Sequence, residues 1–295
     1  DVIEACNMSF HLYADDTQLY LAFNPKCPLS ITNAQDTIAR CTTEIGAWMN
    51  LHYLKLNGDK TELLVMSKPS LTANSLSSLC ICGSLVHSRD CVRDLGVDYD
   101  SSIKMEAHVR SLCKKAYYQL HLIYKVRRFM TESATRTLVR SNVTSLLDYC
   151  NGLLIGLPSS LLHHLQRVQN SAARIIKQVP KSCHITPVLR ELHWLPIRFR
   201  VEYKILLLTF KGLNGMAPNY IKDLLVPYRP SRTLRSSNCN LLTIPKYNCK
   251  TYGGRAFEVC APQLWNNLPL EMRAITSMEQ FKKSLKTYLF KCAFE

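Results

Sequence analysis

The spacing of apolar residues changes near residue 100, and this change constrains the fold more than any other feature. Before it, short runs such as SFHLY and TQLYLAF alternate apolar and polar residues, which is the period of a strand with one buried face. After it, apolar residues recur at steps of three and four, the spacing of amphipathic helices. Strands followed by a run of helices predict an α+β fold.

The first 100 residues predict the order strand–strand–helix–strand–strand–strand. Ser30 is the predicted N-cap of the helix, and the dipeptides Asn57-Gly58 and Gly83-Ser84 predict turns. The predicted elements are a hairpin over residues 9–23, a helix over residues 30–48, a strand over residues 63–66, a loop over residues 67–78, a hairpin around Gly83-Ser84 and a short strand within VRDLGVDYD.

The remaining residues predict a series of helices. Thr131 is the predicted N-cap of the second, Pro158 precedes the third, and Gly215 ends the fourth. Residues 227–254 predict a long connection with short strands, and residues 278–291 predict a closing helix. The first of these helices has a predicted buried stripe of Met105, Val109, Leu112, Ala116, Leu120 and Ile123, and the third has one of Leu162, Leu165, Val168, Ala172 and Ile175.

The charge is distributed unevenly between the two parts. The first 100 residues contain 7 Lys and Arg against 12 Asp and Glu, a net charge of −5, and the remaining 195 contain 30 against 10, a net charge of +20. A positive excess of this size favours a polyanion as partner of the second part. The alternative is a helical domain whose lysines are only solvated.

The cysteines indicate the cellular environment. Thirteen are scattered from Cys6 to Cys292, without a C-x-x-C pair or zinc-site spacing. They predict reduced, mostly buried thiols in an intracellular protein, and we expect it in the cytoplasm and nucleus. No run approaches the ~18 apolar residues of a membrane span. The chain starts at Asp1 without a signal peptide or initiator Met, and we expect a fragment of a larger protein.

Asp15 and Asp16 lie side by side at the tip of the first predicted hairpin. Two ionised carboxylates this close repel by roughly one to a few kcal/mol when they are partly desolvated. Either solvent tolerates the repulsion, as in an Asp-rich turn, or a bound cation relieves it. The Asp-Asp pair alone favours the turn, whereas its strand context and the adjacent Tyr13 favour a metal site.

Four stretches resemble, in order, motifs of reverse transcriptases. FHLYADDTQLY resembles the Y-x-D-D box, and WMNLHYLKLNGDKTELLVM resembles the helix-and-strand motif that follows it in the palm. VRDLGVDYD resembles the primer-grip hairpin, and the basic helices after Ile103 fall where a thumb would be. LKLNGDKTE, DLGV, NSAARII and LHWLPI are similar to the reverse transcriptases of non-LTR (LINE-type) retrotransposons. The resemblance covers essentially the whole chain.

This resemblance implies a fold and an activity. It implies a partial palm over residues 1–100, a basic helical thumb-like domain over residues 101–180, and a C-terminal domain of mixed helices and loop over residues 181–295. The implied activity is that of an RNA-directed DNA polymerase, which transfers nucleotides with two Mg²⁺ ions. Its partners would be an RNA template and a DNA primer, with no membrane.

The resemblance also assigns roles to residues of this sequence. Asp15 would bind the metal directly, Asp16 would be the weaker or indirect partner, and Tyr13 would lie under the primer terminus. Lys60 would be the lysine near the leaving pyrophosphate, although its position after Asn57-Gly58 also fits a simple turn lysine. The implied primer grip is Leu95, Gly96 and Val97, and the implied phosphate contacts are Lys114, Lys115, Arg127 and Arg128.

Two further expectations follow from this assignment. The third metal-binding aspartate of the family lies on a strand before the Y-x-D-D hairpin, and no such strand precedes Asp1, so we expect the chain alone to be inactive. Charge reversal of the four phosphate-contacting residues is expected to weaken binding of all sequences without disturbing the fold. Two other hypotheses stay open: a non-catalytic nucleic-acid-binding remnant, and a protein-interaction scaffold whose charge keeps it soluble.

Overall fold

The computed structural model describes residues 2–67, 76–229, 240–249 and 251–295. The chain divides into two compact units, unit 1 over Asp1–Ala107 and unit 2 over His108–Glu295. Unit 1 combines small antiparallel sheets with a long helix, whereas the described part of unit 2 consists mainly of helices. The α+β character of the chain is therefore confirmed. A boundary at residue 180 would lie inside unit 2.

The strands described in unit 1 form three separate hairpins. The first predicted hairpin is confirmed, with Phe10 opposite Leu19, although its second strand ends at Tyr20. The second is confirmed as well, but its turn is Cys82-Gly83, one residue earlier than predicted. VRDLGVDYD forms a complete hairpin of its own. The strands are β1 (Ser9–Tyr13), β2 (Asp16–Tyr20), β3 (Ser78–Ile81), β4 (Ser84–His87), β5 (Cys91–Asp94) and β6 (Val97–Asp100).

Two of these hairpins share the same kind of turn. In Cys82-Gly83 the φ angles are 47° and 81°, and in Leu95-Gly96 they are 43° and 84°. Two-residue turns with positive φ at both positions match the right-handed twist of the flanking strands. Because glycine adopts positive φ without a steric penalty, the glycine takes the second position in each turn. This requirement explains why the second turn ends at Gly83.

The long helix of unit 1 begins earlier than predicted. Helix α1 (Val2–Ala5) is short, and helix α2 (Pro28–Leu51) follows the first hairpin. The predicted N-cap at Ser30 is wrong, because Cys27 is the N-cap and Pro28 occupies the first helical turn, where a missing N–H has no cost. The Ser30 hydroxyl instead accepts a hydrogen bond from the Asn24 N–H at 2.9 Å.

The predicted strand over residues 63–66 is wrong. The chain forms a 3₁₀ turn at Gly58–Lys60, and Leu63 then makes an isolated parallel bridge to Ser88. A single bridge does not amount to a ladder, so the apolar run here packs without becoming a strand. Most of the loop predicted over residues 67–78 lies outside the described residues.

Apolar side chains in the described part of unit 1 form two small clusters. One lies between α1, the first hairpin and α2, and the other lies between α2, β3 and the segment before it. Each contains only a few fully buried residues, and half-buried neighbours complete it. The buried members are Ile3, Cys6, Met8 and Cys41 in the first cluster, and Leu76, Leu79 and Ile81 in the second.

Asp100 ends the last strand of unit 1 and organises the residues that follow. Its carboxylate accepts hydrogen bonds from the Lys104 N–H at 2.8 Å, the Ser102 hydroxyl at 2.8 Å and the Met105 N–H. Burial acts to raise the pKa of this carboxyl, but the hydrogen bonds together outweigh it and lower the pKa. The ionised form therefore fixes the entry into the next helix.

Each helix predicted after residue 105 is present. The described residues also form four helices that were not predicted, at Ile185–Glu191, Asn219–Lys222, Phe257–Asn266 and Leu270–Arg273. The second predicted helix continues through a π-helical segment, Arg140–Thr144. The predicted connection over residues 227–254 contains a Pro227–Leu242 bridge in its described part. The helices are α3 (Glu106–Val126), α4 (Glu132–Val139), α5 (Ser145–Asp148), α6 (Ser159–Lys177), α7 (Ile185–Glu191), α8 (Ile197–Leu213), α9 (Asn219–Lys222), α10 (Phe257–Asn266), α11 (Leu270–Arg273) and α12 (Met278–Phe294).

Several predicted helical details are confirmed. The Thr131 hydroxyl caps α4 by accepting the Ala134 N–H at 3.2 Å. In α6, Ile176 is fully buried while the predicted Ile175 is only half-buried, so the buried face is rotated slightly from the prediction. The predicted stripe of α3 is buried throughout: Met105, Val109, Leu112, Ala116, Leu120 and Ile123.

Unit 2 contains one large apolar cluster that joins α8, α10, α11 and α12. Phe210 and Phe281 stack at its centre with ring centroids 4.2 Å apart, and Trp265 lies 5.8 Å from Phe281. All three rings are essentially inaccessible to solvent. Its other buried members are Leu195, Ile205, Leu206, Leu225, Leu242, Cys260, Ala261, Leu268, Met272, Leu285 and Leu289.

The expectation of mostly buried thiols is wrong. Of the twelve cysteines in the described part of the chain, only Cys6, Cys41 and Cys260 are buried, and the others are half-buried or exposed. The Cys6 thiol donates to the Glu44 carboxylate at 3.0 Å, and this contact together with burial raises its pKa to about 12. Among the described helices, none has both the length and the apolar character needed to cross a bilayer.

Candidate catalytic hairpin and nucleic-acid interface

The first hairpin presents two adjacent carboxylates at its tip. Tyr13 pairs with Asp16 across the ladder, so the turn consists of Ala14 and Asp15. Ala14 has a φ of 54°, a left-handed conformation that is uncommon for a residue with a side chain. Tyr13, Asp15 and Asp16 are all exposed. The turn thus holds the aspartates at a solvent-accessible point rather than in a packed core.

A third carboxylate lies close to this hairpin. The Gln18 side-chain amide donates a hydrogen bond to Asp94, which ends β5. Burial, and then the negative charge of Asp16, raise the pKa of Asp94 above its ordinary value. Asp16 and Gln18 are two residues apart on β2, so both face the same side of that strand. The hairpins β1–β2 and β5–β6 therefore meet at a polar contact.

Neither Asp94 nor Gln18 was predicted to belong to this group. Gln18 lies two residues after Asp16 in the alternating strand pattern, and Asp94 directly precedes the Leu95-Gly96 turn, so the sequence indicates the local position of each residue but not their contact. Their contact joins residues 76 positions apart, and periodicity carries no information about such pairs. Only the three-dimensional arrangement shows that Asp16 has a second acidic neighbour.

The carboxylates are compatible with weak rather than tight metal binding. Mg²⁺ keeps several waters and takes one or two carboxylates from a protein, and Asp15 with Asp16 could supply that number. Within the described residues, no group of three or more His, Cys, Asp or Glu side chains is arranged to hold a metal ion. Asp15 and Asp16 are the residues that would hold a metal ion, because the Asp94 carboxylate already accepts a hydrogen bond from Gln18.

Lys60 is the last residue of the 3₁₀ turn Gly58–Lys60, and its side chain is exposed. The same turn forms one wall of an open cleft of about 520 Å³, whose opposite wall includes Cys82 and Ser84. The lysine that lines this cleft is Lys55, not Lys60. The role of Lys60 near a pyrophosphate stays a prediction.

The implied primer grip divides into exposed and buried parts. Leu95 and Gly96 form the exposed turn of the β5–β6 hairpin, whereas the Val97 side chain is only 1% exposed. The Val97 side chain is therefore inaccessible, and a primer at this hairpin would meet Leu95 and the Gly96 backbone.

Helix α3 has a strongly basic exposed surface. The side chains of Lys114 and Lys115 are exposed, and so is that of Arg128 in the 3₁₀ turn Arg127–Phe129 that follows the helix. The Arg128 guanidinium lies 4.6 Å from the centroid of the Phe129 ring. These three cations are accessible to solvent, and their contact with phosphates stays a prediction.

Arg127 has a different role from the other three. Its guanidinium donates to the carbonyl oxygens of Ile175 and Ile176 at 2.9 Å each and to that of Met130 at 2.7 Å. The last four carbonyls of a helix have no partner within the helix, so Arg127 satisfies two of them at the end of α6. Charge reversal at Arg127 would remove these bonds, so here, unlike at the other three positions, we expect it to disturb the fold. The signal was absent from the sequence, because the bonded residues are 48 and 49 positions away.

Unit 2 has a second basic surface on α12. Lys282, Lys283 and Lys286 are exposed on the side opposite Phe281 and Leu285. Their number and charge match those of Lys114, Lys115 and Arg128, but they have no exposed aromatic neighbours on α12. This surface provides a control of equal charge for the surface of α3.

Comparisons with protein-family models, with curated proteins and with solved structures returned no match. The hairpin tip offers carboxylate oxygens to a hard cation, and the α3 surface offers ammonium and guanidinium groups to a polyanion.

Proposed function

We propose that this chain is part of an RNA-directed DNA polymerase of the LINE type, and that by itself it binds nucleic acid without polymerising it. In the intact protein, Asp15 and Asp16 would contribute ligands to the metal site, and the basic helices would hold the RNA template and DNA primer. When bound, two Mg²⁺ ions would stabilise the attacking and leaving oxygens of nucleotidyl transfer.

The observation that supports the catalytic part is the exposed Asp15-Asp16 tip. Its strained Ala14 turn presents two carboxylates next to the β5–β6 hairpin, where burial and then the negative charge of Asp16 raise the pKa of Asp94. A cation at this point would relieve the repulsion between Asp16 and Asp94. Solvent alone would stabilise the charge of a single exposed aspartate. A tip with two, near a third whose pKa is raised, gains more from a bound divalent ion.

Titration with Mn²⁺, followed by water proton relaxation, tests this proposal. We expect weak binding that Asp15→Asn reduces about tenfold or more, because only two carboxylates from this tip reach the ion. Asp36→Asn is the matched control, since Asp36 is exposed on α2 away from the tip. Tight binding that survives Asp15→Asn would show that the metal site lies elsewhere.

A second candidate function is nucleic-acid binding without any catalytic role. It is favoured by the three exposed cations of the α3 surface and by the net charge of +20 after residue 100. Both candidates predict that affinity falls with salt, since bound phosphates release counterions. With about five phosphate contacts, affinity should fall by more than about a hundredfold between 50 and 200 mM salt.

Fluorescence anisotropy at several salt concentrations separates these candidates from a scaffold. The variant Lys114→Glu/Lys115→Glu/Arg128→Glu should weaken binding of all sequences alike and flatten the salt dependence. Lys282→Glu/Lys283→Glu/Lys286→Glu changes the net charge equally and should have a smaller effect. Equal effects would remove α3 as the binding surface. Binding that persists without any Mn²⁺ affinity at the tip would favour the non-catalytic candidate.

A further inference from the structure

The exposed surface of α3 is aromatic as well as basic. Tyr118 is 61% exposed and Tyr124 is 68% exposed, and Tyr117 on the same helix is also exposed. A ring that packs in a core loses this accessibility, so these three tyrosines do not contribute to the apolar stripe of the helix. Neither electrostatic attraction to phosphates nor the packing of unit 2 explains them.

The rings and the cations lie on one face of the helix. Lys114, Tyr118, His121 and Lys125 follow one another at steps of four, three and four, which keeps them in one row. Tyr117, His121 and Tyr124 form a neighbouring row with the same spacing. We call this surface the basic–aromatic face. It extends over about 27 Å from Arg110 to Arg128 at about 1.5 Å per residue. It consists of Arg110, Lys114, Tyr117, Tyr118, His121, Tyr124, Lys125 and Arg128.

The face contains no acidic residue. Glu106 is the only carboxylate in α3, and the sequence has no Asp or Glu between it and Glu132. A protein partner would have to be acidic along the whole face and also offer groups that pack on three tyrosine rings. A polynucleotide has both properties in every residue, because each nucleotide contains a phosphate and a base with a π face.

We infer that the basic–aromatic face of α3 binds single-stranded nucleic acid, whose bases stack on Tyr118 and Tyr124 while Lys114, Lys125 and Arg128 contact the phosphates. This inference rests on the proposed nucleic-acid binding and specifies its form. In a duplex the bases are already stacked on one another, so exposed rings add nothing to the phosphate contacts. Unpaired bases are free to stack on protein side chains, and such stacking tolerates any sequence.

The test compares two probes and two pairs of substitutions. The probes are a labelled 16-nucleotide RNA of mixed sequence and the same RNA annealed to its DNA complement. The variant Tyr118→Ala/Tyr124→Ala removes both rings but leaves every cation in place. Tyr118→Phe/Tyr124→Phe keeps the rings and removes only the hydroxyls. Since both side chains are exposed, neither pair of changes should alter the fold, which circular dichroism can verify.

We expect the alanine variant to lose about 25-fold or more in affinity for the single strand, and less than about threefold for the duplex. The phenylalanine variant should retain the affinity of the unchanged chain. The salt dependence of single-strand binding should stay the same in all three proteins, because the phosphate contacts are intact.

The outcomes distinguish base stacking on the tyrosines from nucleic-acid binding itself. If the unchanged chain binds both probes and the alanine variant binds the single strand equally well, the stacking inference is wrong and electrostatic binding stands. An equal loss for both probes would also overturn it. If the unchanged chain binds neither probe, or binds an acidic peptide as tightly as RNA, nucleic-acid binding itself is overturned.

Discussion

The two units of this protein reach an ordered structure by different means. Unit 2 has a large apolar cluster in which Phe210, Trp265 and Phe281 are buried together, and this cluster draws on helices from residues 197 to 294. Within its described residues, unit 1 has two small clusters and three separate hairpins. Long-range packing dominates in unit 2, whereas turns and single polar contacts dominate in unit 1.

This difference determines where a substitution should be costly. Removal of a ring from a continuous core leaves a cavity that the surrounding helices cannot close completely. In a unit built from hairpins, single hydrogen bonds and ionisable groups account for a larger share of the stability.

The largest effect is expected at Phe281. The substitution Phe281→Ala should lower the free energy of unfolding of unit 2 by about 3–5 kcal/mol, because it empties the centre of the large cluster. Urea denaturation in a Trp48→Phe background measures it, since the remaining Trp194 and Trp265 report on unit 2 alone. Phe129→Ala is the control and should cost less than about 0.5 kcal/mol, because that ring is 76% exposed. Similar costs at the two positions would contradict a core-dominated unit 2.

A smaller effect is expected at Arg127. Arg127→Ala should lower the free energy of unfolding of unit 2 by about 1–3 kcal/mol, because it leaves the Ile175 and Ile176 carbonyls without their donor. Arg127→Lys should recover little of this stability, since an ammonium group cannot reproduce the planar arrangement of donors in a guanidinium. The same urea titration measures both, and Arg128→Ala is the control with an expected cost below about 0.5 kcal/mol. If Arg128→Ala costs as much as Arg127→Ala, the capping role is wrong.

The smallest effects are expected in unit 1, where two aspartates of the β5–β6 hairpin respond to pH in opposite directions. The pKa of Asp94 is raised on folding, so its contribution to stability is present below the unfolded pKa and is lost as pH rises through the folded value. The pKa of Asp100 is lowered, so its contribution is present above the unfolded pKa, near 4, and is lost as pH falls through the folded value.

Hydrogen exchange of the β5–β6 amides between pH 3 and 7 measures both contributions after correction for intrinsic exchange rates. At pH 7, Asp94→Asn should increase protection and Asp100→Asn should decrease it, each by less than about 1 kcal/mol. The Asp100→Asn difference should shrink towards pH 3. Changes of the same sign in the two variants would show that the hairpin is not governed by these local contacts.

The sequence predicted helices better than it predicted contacts. The α3 stripe was predicted correctly, because six apolar residues at helical spacing define one face. The strand over residues 63–66 was not, since a short apolar run contains too few residues to distinguish a strand from a packed segment. The Ser30 cap failed because Pro28 starts the helix one turn earlier.

In the candidate site, too, the local features were predicted and the long-range contacts were not. Asp15 and Asp16 were located correctly at a hairpin tip, because alternating strands on both sides define the turn. The neighbouring Asp94 and the capping role of Arg127 were missed, since each depends on a partner 48 or more positions away. The metal, primer and phosphate roles stay predictions that the proposed experiments test.

The attachment of Arg127 also affects the thermodynamics of binding at α3. A guanidinium bonded to two carbonyls at the end of α6 holds the C-terminal end of α3 in place before any ligand arrives. The basic–aromatic face is thus preorganised, and its backbone loses little conformational entropy when a strand binds. The ordering cost falls instead on the flexible polynucleotide, so stiffer single strands of the same length should bind with a smaller entropic penalty per nucleotide.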